Sequence, residues 1–297
     1  MNKYELIDGK QIAKDIKHEL AHEVSEMLDS GKRAPHLAAI IVGEDGASLS
    51  YVASKEKQSK ETGFFSSVYR LPANTSEEEL LQMVEFLNTD SEVDGYIVQL
   101  PLPEHINEQT IINAISPKKD VDGFNPVNVG RMSLGLSSFI PATPLGIKLL
   151  LERSGVETQG KHCVVVGRSN IVGTPVAILL SRNEASANCT VTLCHSKTEN
   201  LKEICLTADI LIVAIGKPAF ITEDMVKDGA VVIDVGIHRI ADNSEKGYHI
   251  IGDVDFEKVK AKCSKITPVP GGVGPMTIAC LLYNTMKAYK SKFQNNE

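Results

Sequence analysis

The order of apolar runs constrains this chain most. From residue 141 onward, short apolar runs of strand length alternate with amphipathic stretches, and the joins between them are short. PATPLGIKLLLERSG (141–155) reads as a helix, HCVVVG (162–167) as a buried strand and IVGTPVAILLSRN (171–183) as a helix entry. VTLCHS (191–196) is a strand, LKEICLTA (201–208) a helix and DILIVAIG (209–216) a strand. ITEDMVKDG (221–229) reads as a short helix and AVVIDVGI (230–237) as a strand. Strands apolar on both faces and separated by helices predict a parallel sheet with right-handed crossovers. PVPGGVGP (268–275) reads as a rigid loop, and MTIACLLYNTMKAYK (276–290) as a terminal helix.

The first part of the chain alternates in the same way. Ile12, Ile16, Leu20 and Val24, at four-residue spacing, predict one buried face of a helix over 10–29. LAAIIVG (37–43) is a strand, 50–60 a second helix and SSVYRL (66–71) a strand. Ser76 with Glu79 predicts a capping box opening a helix that runs to about Asn88. GYIVQLPLP (95–103) is a strand stopped by two prolines. At roughly 100–200 residues per domain, a chain of this length accommodates two. We therefore expect two α/β domains, over 1–143 and 144–271, with the final segment 272–297 packing back to complete the first.

Composition excludes some function classes. The formal net charge of -7 gives no bulk field to attract nucleic acid or an anionic membrane, so an anionic ligand needs a local site. No apolar run approaches the ~18 residues of a membrane span. The opening MNKYELIDGK lacks a basic segment followed by an apolar one, so no secretory signal is expected. None of the 6 cysteines forms a C-x-x-C pair, and most lie in apolar runs, which predicts buried thiols in a reducing cytoplasm. His18 and His22 lie four apart, but on an ordinary amphipathic helix, and no metal site is expected.

Two constellations carry chemistry. VVVGRSNIVGTPVA (164–177) runs a buried strand into a turn at Gly167 and a helix at Gly173. Backbone N–H groups and the positive end of a helix then face one point, as a dinucleotide pyrophosphate requires. The spacing is G-x5-G rather than G-x-G-x-x-G, so a plain strand–helix turn is the competing reading. The next strand ends in Cys194-His195-Ser196-Lys197, without the acid that would accept from an NAD ribose. Arg168, Ser169 and the Ser196-Lys197 pair suit a 2′-phosphate, which an acid would repel, so NADP is favoured over NAD.

The second lies in VGEDGASLSYVASKEKQ (42–58), where Tyr51 and Lys55 share one helix face. The pair resembles that of short-chain dehydrogenases, but here it precedes the glycine turn instead of following it. A surface Tyr and Lys is the alternative. Gln99 stands at the carboxyl end of a buried strand, where α/β sheets place ligands. PKKDVDGF (117–124) offers Asp120 and Asp122 beside a turn glycine, and an ordinary turn would explain them equally.

Read together, VGEDGASLSYVASK, VQLPLP, KDVDGFNPVNVGR, PATPLG, VVVGRSNIVGTPVA, CHSKT, VVIDVGI and PVPGGVGPMT occur in this order along nearly the whole chain. This succession resembles the methylenetetrahydrofolate dehydrogenase/cyclohydrolase family. Ala142 departs from it, since the family often has Cys there. The resemblance implies a folate-binding catalytic domain followed by a Rossmann-like NADP-binding domain. It implies oxidation of 5,10-methylenetetrahydrofolate with NADP and hydrolysis of the methenyl product to 10-formyltetrahydrofolate. It makes Lys55 the key catalytic residue of the hydrolysis, held by Gln99. Tyr51 would pack on the folate rings, and Asp122 would bind the pterin. Arg168, Ser169 and Ser196 would meet the 2′-phosphate, with Gly167 and Gly173 shaping the turn. Ile237 and the segment carrying Gly271, Gly272, Pro275 and Thr277 would lie near the nicotinamide and the cleft. A cytoplasmic homodimer acting on a small folate, without nucleic-acid or membrane partners, completes the expectation. The rivals are a monofunctional dehydrogenase of the same family, whose members lack the lysine, a non-catalytic NADP-binding sensor, and a shikimate-type dehydrogenase.

Overall fold

A computed structural model describes residues 4–244 and 247–294. The strands are β1 (Glu5–Leu6), β2 (His36–Val42), β3 (Phe65–Leu71), β4 (Gly95–Val98), β5 (His162–Val166) and β6 (Thr190–Cys194). They continue with β7 (Ile210–Val213), β8 (Val231–Asp234), β9 (His238–Ala241), β10 (Tyr248–Ile251) and β11 (Lys265–Ile266). The helices are α1 (Gly9–Asp29), α2 (Gly46–Glu61), α3 (Glu77–Thr89), α4 (Glu108–Ala114) and α5 (Pro126–Ser133). After them come α6 (Ala142–Arg153), α7 (Gly173–Ser181), α8 (Leu201–Cys205), α9 (Phe256–Val259) and α10 (Val273–Gln294).

The chain divides into two compact units, each built from separated stretches. One takes residues 14–142 with 278 onward; the other takes the residues up to 13 with 143–277.

The 14–142 unit carries a three-stranded parallel sheet in the order β3-β2-β4. β2 is central and buried from Leu37 to Val42, which is why it reads as an unbroken apolar run rather than an alternating one. Ile16, Leu20 and Val24 bury the predicted face of α1. The capping box forms as expected: the Ser76 hydroxyl accepts from Glu79 N at 3.2 Å, and the Glu79 carboxylate accepts from Ser76 N at 2.8 Å. The later part of α10 belongs to this unit. Asn284 is buried on it and donates to the carbonyls of Val121 (2.8 Å) and Ile140 (2.9 Å). Asp94, at the start of β4, is fully buried and gathers Arg33, Lys292 and the His36 amide.

The other unit carries a six-stranded parallel sheet in the order β1-β11-β8-β7-β5-β6. The chain leaves β5 for β6 on one side and returns to β7 on the other. The carboxyl ends of β5 and β7 therefore flank a reversal of winding direction, the place where open α/β sheets bind ligands. β5, β7 and β8 are buried almost throughout and are rich in Val and Ile. All six cysteines are free and buried.

The structure corrects several expectations. Residues 4–13 lie in the second unit, because β1 pairs with β11. A two-residue strand gives no period to read. The segment 221–229 is not a helix but a single 3-10 turn, Glu223–Met225, too short to pass through more than one hydrogen-bonded turn before Gly229. The 268–275 loop ends early: α10 begins at Val273, so Gly274 and Pro275 are helical. An antiparallel hairpin, β9–β10, adds to the predicted alternation, and residues 245–246 between its strands lie outside the described residues.

Candidate active site

In the 14–142 unit, Asp45 opens α2 by accepting from Ser48 N at 2.8 Å. One helical turn separates Tyr51 from Lys55, and they meet: the Lys55 ammonium lies 4.4 Å from the centre of the Tyr51 ring. Tyr51 is 36% exposed while Lys55 is 8% exposed, so the ring forms a partly open wall over a buried amine. β4 delivers Gln99 to the same point. Gln99 N is fixed to Ile40 O on β2 at 2.8 Å, and its Nε2 donates to Leu100 O at 2.7 Å. That second bond turns Oε1 toward Lys55, whose Nζ donates to it at 3.2 Å.

Burial pushes the Lys55 ammonium below its usual range, opposed by the charge of Asp122. Burial pushes the Asp122 carboxyl up, opposed by Lys55. In both groups burial outweighs the partner's opposite charge, so each is shifted toward its neutral form. Asp122 rides on a turn built by its neighbour Asp120. The Asp120 carboxylate accepts from Phe124 N (3.2 Å), Asn125 N (2.8 Å) and the Asn128 amide (2.8 Å). Burial pushes Asp120 up to about 6 even so. Asp120 is thus the turn-former, and Asp122 is left to face Lys55. Lys55, Tyr51, Gln99 and Asp122, dispersed over seventy residues of sequence, form one constellation.

In the 143–277 unit, Gly167 follows β5 at φ +122°, and a Cβ there would stand 2.1 Å from Ala214 O. A Cβ on Gly173 would stand 1.9 Å from Gly167 O. Both positions require glycine, and together they bring the start of α7 against the end of β5, where Thr174 N donates to Ser169 O at 3.1 Å and Pro175 has no N–H to offer. The Ser169 hydroxyl accepts from Val172 N (3.2 Å) and Gly173 N (3.4 Å), so it organises this turn while its own proton is free to donate. Gly167, Arg168, Ser169 and Ser196 line one cavity of about 280 Å³. Its other walls, which the sequence does not single out, include His195, Leu201, Lys217 and Phe220. No acidic side chain is among its lining residues, which fits an anionic dinucleotide carrying a 2′-phosphate.

Ile237 does not line that cavity. It is 60% exposed, and a Cβ on Gly274 would lie 3.5 Å from its Cδ1, so it sits beside the start of α10. Gly271 accepts from Lys10 N at 2.9 Å, and Gly272 packs on Thr267 and Pro268. Thr277 caps its own turn by donating to Gly274 O. Gly271, Gly272, Pro275 and Thr277 thus form a tight strand-to-helix passage.

Comparison with known proteins gives the chain's family. The profile of the "Tetrahydrofolate dehydrogenase/cyclohydrolase, catalytic domain" matches residues 7–122, and that of the "NAD(P)-binding domain" of the same name matches 141–293. The Bifunctional protein FolD of Porphyromonas gingivalis is 56% identical over 292 residues, 98% of this chain and 99% of that protein. The crystal structure of a FolD methylenetetrahydrofolate dehydrogenase/cyclohydrolase from Campylobacter jejuni superimposes with TM-score 0.91 at 47% identity, covering 97% of this chain and 99% of that one. A Trypanosoma brucei dehydrogenase-cyclohydrolase, solved with NADP and an inhibitor, gives TM-score 0.91 at 39% identity over 98% of each chain. Matched over both its parts and at more than half identity along nearly its full length, the chain belongs to the tetrahydrofolate dehydrogenase/cyclohydrolase family.

Proposed function

We propose that this chain oxidises 5,10-methylenetetrahydrofolate with NADP and hydrolyses the resulting methenyl cation to 10-formyltetrahydrofolate. Folate binding is assigned to the 14–142 unit and NADP binding to the 143–277 unit. The observation that carries the reading is the Tyr51–Lys55–Gln99–Asp122 constellation, because simple cofactor binding has no use for a buried lysine so equipped.

Bound NADP supplies a hydride acceptor for the methylene carbon. Arg168, Ser169 and Ser196 are the groups that would hold its 2′-phosphate, and the turn opened by Gly167 is where its pyrophosphate would lie. Ile237 and the Gly271–Thr277 passage are assigned to the nicotinamide side. On the folate side, the Asp122 carboxylate accepts paired N–H bonds from the aminopyrimidinone, and Tyr51 gives the ring system a face to stack on.

Hydrolysis uses Lys55. Burial favours its neutral amine, which takes a proton from water as the water oxygen bonds to the methenyl carbon. The ammonium so formed returns a proton to N5 as the C–N5 bond breaks, and the proton of the new hydroxyl passes to solvent, leaving the formyl group on N10 and the amine neutral. Gln99 holds the amine in line without the negative charge that would favour its protonated form.

The same reading makes the protein a cytoplasmic homodimer supplying one-carbon units for purine and amino-acid biosynthesis. Light scattering after gel filtration tests the dimer. For the chemistry, Lys55→Met is the direct test: it should slow hydrolysis by about a hundredfold or more, and full hydrolysis in that variant would sink the assignment.

A further inference from the structure

We propose that Asp253 is a positioning residue for the adenosine end of the dinucleotide, acting through the 215–217 loop. The inference rests on the NADP reading above. Asp253 precedes Val254, just after the β9–β10 hairpin, far in sequence from the glycine turn. Its carboxylate is fully buried. Three consecutive loop amides converge on it: Ile215 N at 2.8 Å, Gly216 N at 3.0 Å and Lys217 N at 2.9 Å. His238 Nε2 donates to the same carboxylate at 2.7 Å. Gly216 has φ +70°, the left-handed turn that lets successive N–H groups point to one side and form an anion-binding concavity. Here the anion is built in.

The anchor is itself anchored. Asp253 N and Val254 N donate to the buried Asp234 carboxylate, each at 2.9 Å, as does Gly236 N at 2.9 Å. Side chains could not enter this layer: a Cβ on Gly252 would stand 1.9 Å from Asp234 Oδ2, and one on Gly236 would stand 2.4 Å from Asp253 Oδ1. Two stacked carboxylates with close-packed glycines therefore set the height of the loop after β7.

That loop walls the cofactor cavity. Dinucleotide sheets put the pyrophosphate at the first glycine turn and the adenosine ribose at the end of the next strand. The cavity is bounded by both, at Gly167–Ser169 and His195–Ser196, so it is the adenosine half. Beside Leu201, its remaining wall is Ala214, Ile215, Lys217 and Phe220. The Lys217 ammonium lies 5.4 Å from the Phe220 ring centre, presenting a cation and an aromatic face together. The loop spans four residues between Val213 and Pro218, so moving its amides moves that wall. Asp253 touches no ligand; it fixes the wall that does.

The test uses the full chain with Asp253→Asn, which keeps the shape but aims an amide at amides. Binding of NADP and of adenosine 2′,5′-bisphosphate is measured by calorimetry, alongside steady-state kinetics. Both ligands should weaken by the same factor, about ten- to a hundredfold, as for loss of hydrogen bonds to a charged acceptor. kcat at saturating NADP and KM for the folate should stay within about twofold, because the chemistry is untouched. A folded variant with unchanged bisphosphate affinity overturns the inference, as does one in which kcat falls in step with affinity. Should Asp253→Asn fail to fold, the half-buried His238 decides. His238→Ala should weaken the bisphosphate and His238→Gln, which keeps a donor, should restore it; equal affinity in both variants and the wild type overturns the inference. Wild-type chain that binds neither ligand would instead overturn the NADP reading, and this inference with it.

Discussion

Asp94 is the clearest place to perturb the fold without touching the chemistry. It is fully buried at the start of β4 and accepts from Arg33 Nη1 (2.7 Å) and Nη2 (2.8 Å), His36 N (2.8 Å) and Lys292 Nζ (2.8 Å). One carboxylate thus ties the entry of β2, the entry of β4 and the end of α10. Asp94→Asn keeps the shape and loses the charge. Breaking a buried ion pair costs about 3–5 kcal/mol. The two cations keep other partners: Arg33 donates to Ala34 O, and Lys292 to Ser91 O and Val93 O. They are also partly solvated, so the expected loss is nearer ~2–3 kcal/mol. That corresponds to a fall in Tm of roughly 4–12 °C. The pH dependence gives a second signature. Burial alone would raise the Asp94 pKa, but the bonds from Arg33, Lys292 and His36 outweigh it and hold it below 3.8. A depressed carboxylate contributes stability in full above its unfolded value and loses it as pH falls through the folded one. Melting curves from neutrality to acid should therefore show the wild-type advantage over Asp94→Asn shrinking below about pH 4. A Tm within 1 °C of wild type at neutral pH would refute the reasoning.

Other outcomes follow from the two sites. Lys55→Met should lower the hydrolysis rate by about 10²–10⁴ while NADP reduction stays measurable, read by methenyl absorbance. Arg168→Ala should raise KM for NADP by about ten- to a hundredfold with little effect on NAD, because only NADP carries the 2′-phosphate. Ser196→Asp should move preference toward NAD, tested by the ratio of kcat/KM values. Gly173→Ala puts a Cβ 1.9 Å from Gly167 O, so the turn must open. It should cost about 1–3 kcal/mol in a thermal melt and abolish NADP binding in calorimetry.

The sequence was legible where one physical rule governed a residue. Buried parallel strands such as β2, β5 and β7 announce themselves because both faces are apolar. The capping box at Ser76 and Glu79 is a local geometry written in four residues. Tyr51 and Lys55 were placed together by helix period alone, whereas Gln99 and Asp122 needed the resemblance to join them, since nothing local relates a strand end to a helix face. What stayed hidden was long-range and polar. The β1–β11 pairing has two residues a side and no period. The Asp234–Asp253 layer is built on backbone amides, which no side-chain pattern reveals. Its one visible trace is the placing of Gly236 and Gly252 beside acids in IDVGIH and GDVDF. His195 and Lys217 look like solvated surface residues until the sheet order brings the ends of β5, β6 and β7 around one cavity.

The central claim is that one chain both oxidises and hydrolyses. The decisive measurement supplies 5,10-methylenetetrahydrofolate with NADP and follows reduced cofactor and methenyl intermediate simultaneously by absorbance, for the wild type and for Lys55→Met. The account predicts NADP reduction with little methenyl build-up in the wild type, and reduction with methenyl accumulating to its spontaneous decay level in the variant. Methenyl accumulating equally in both would contradict it.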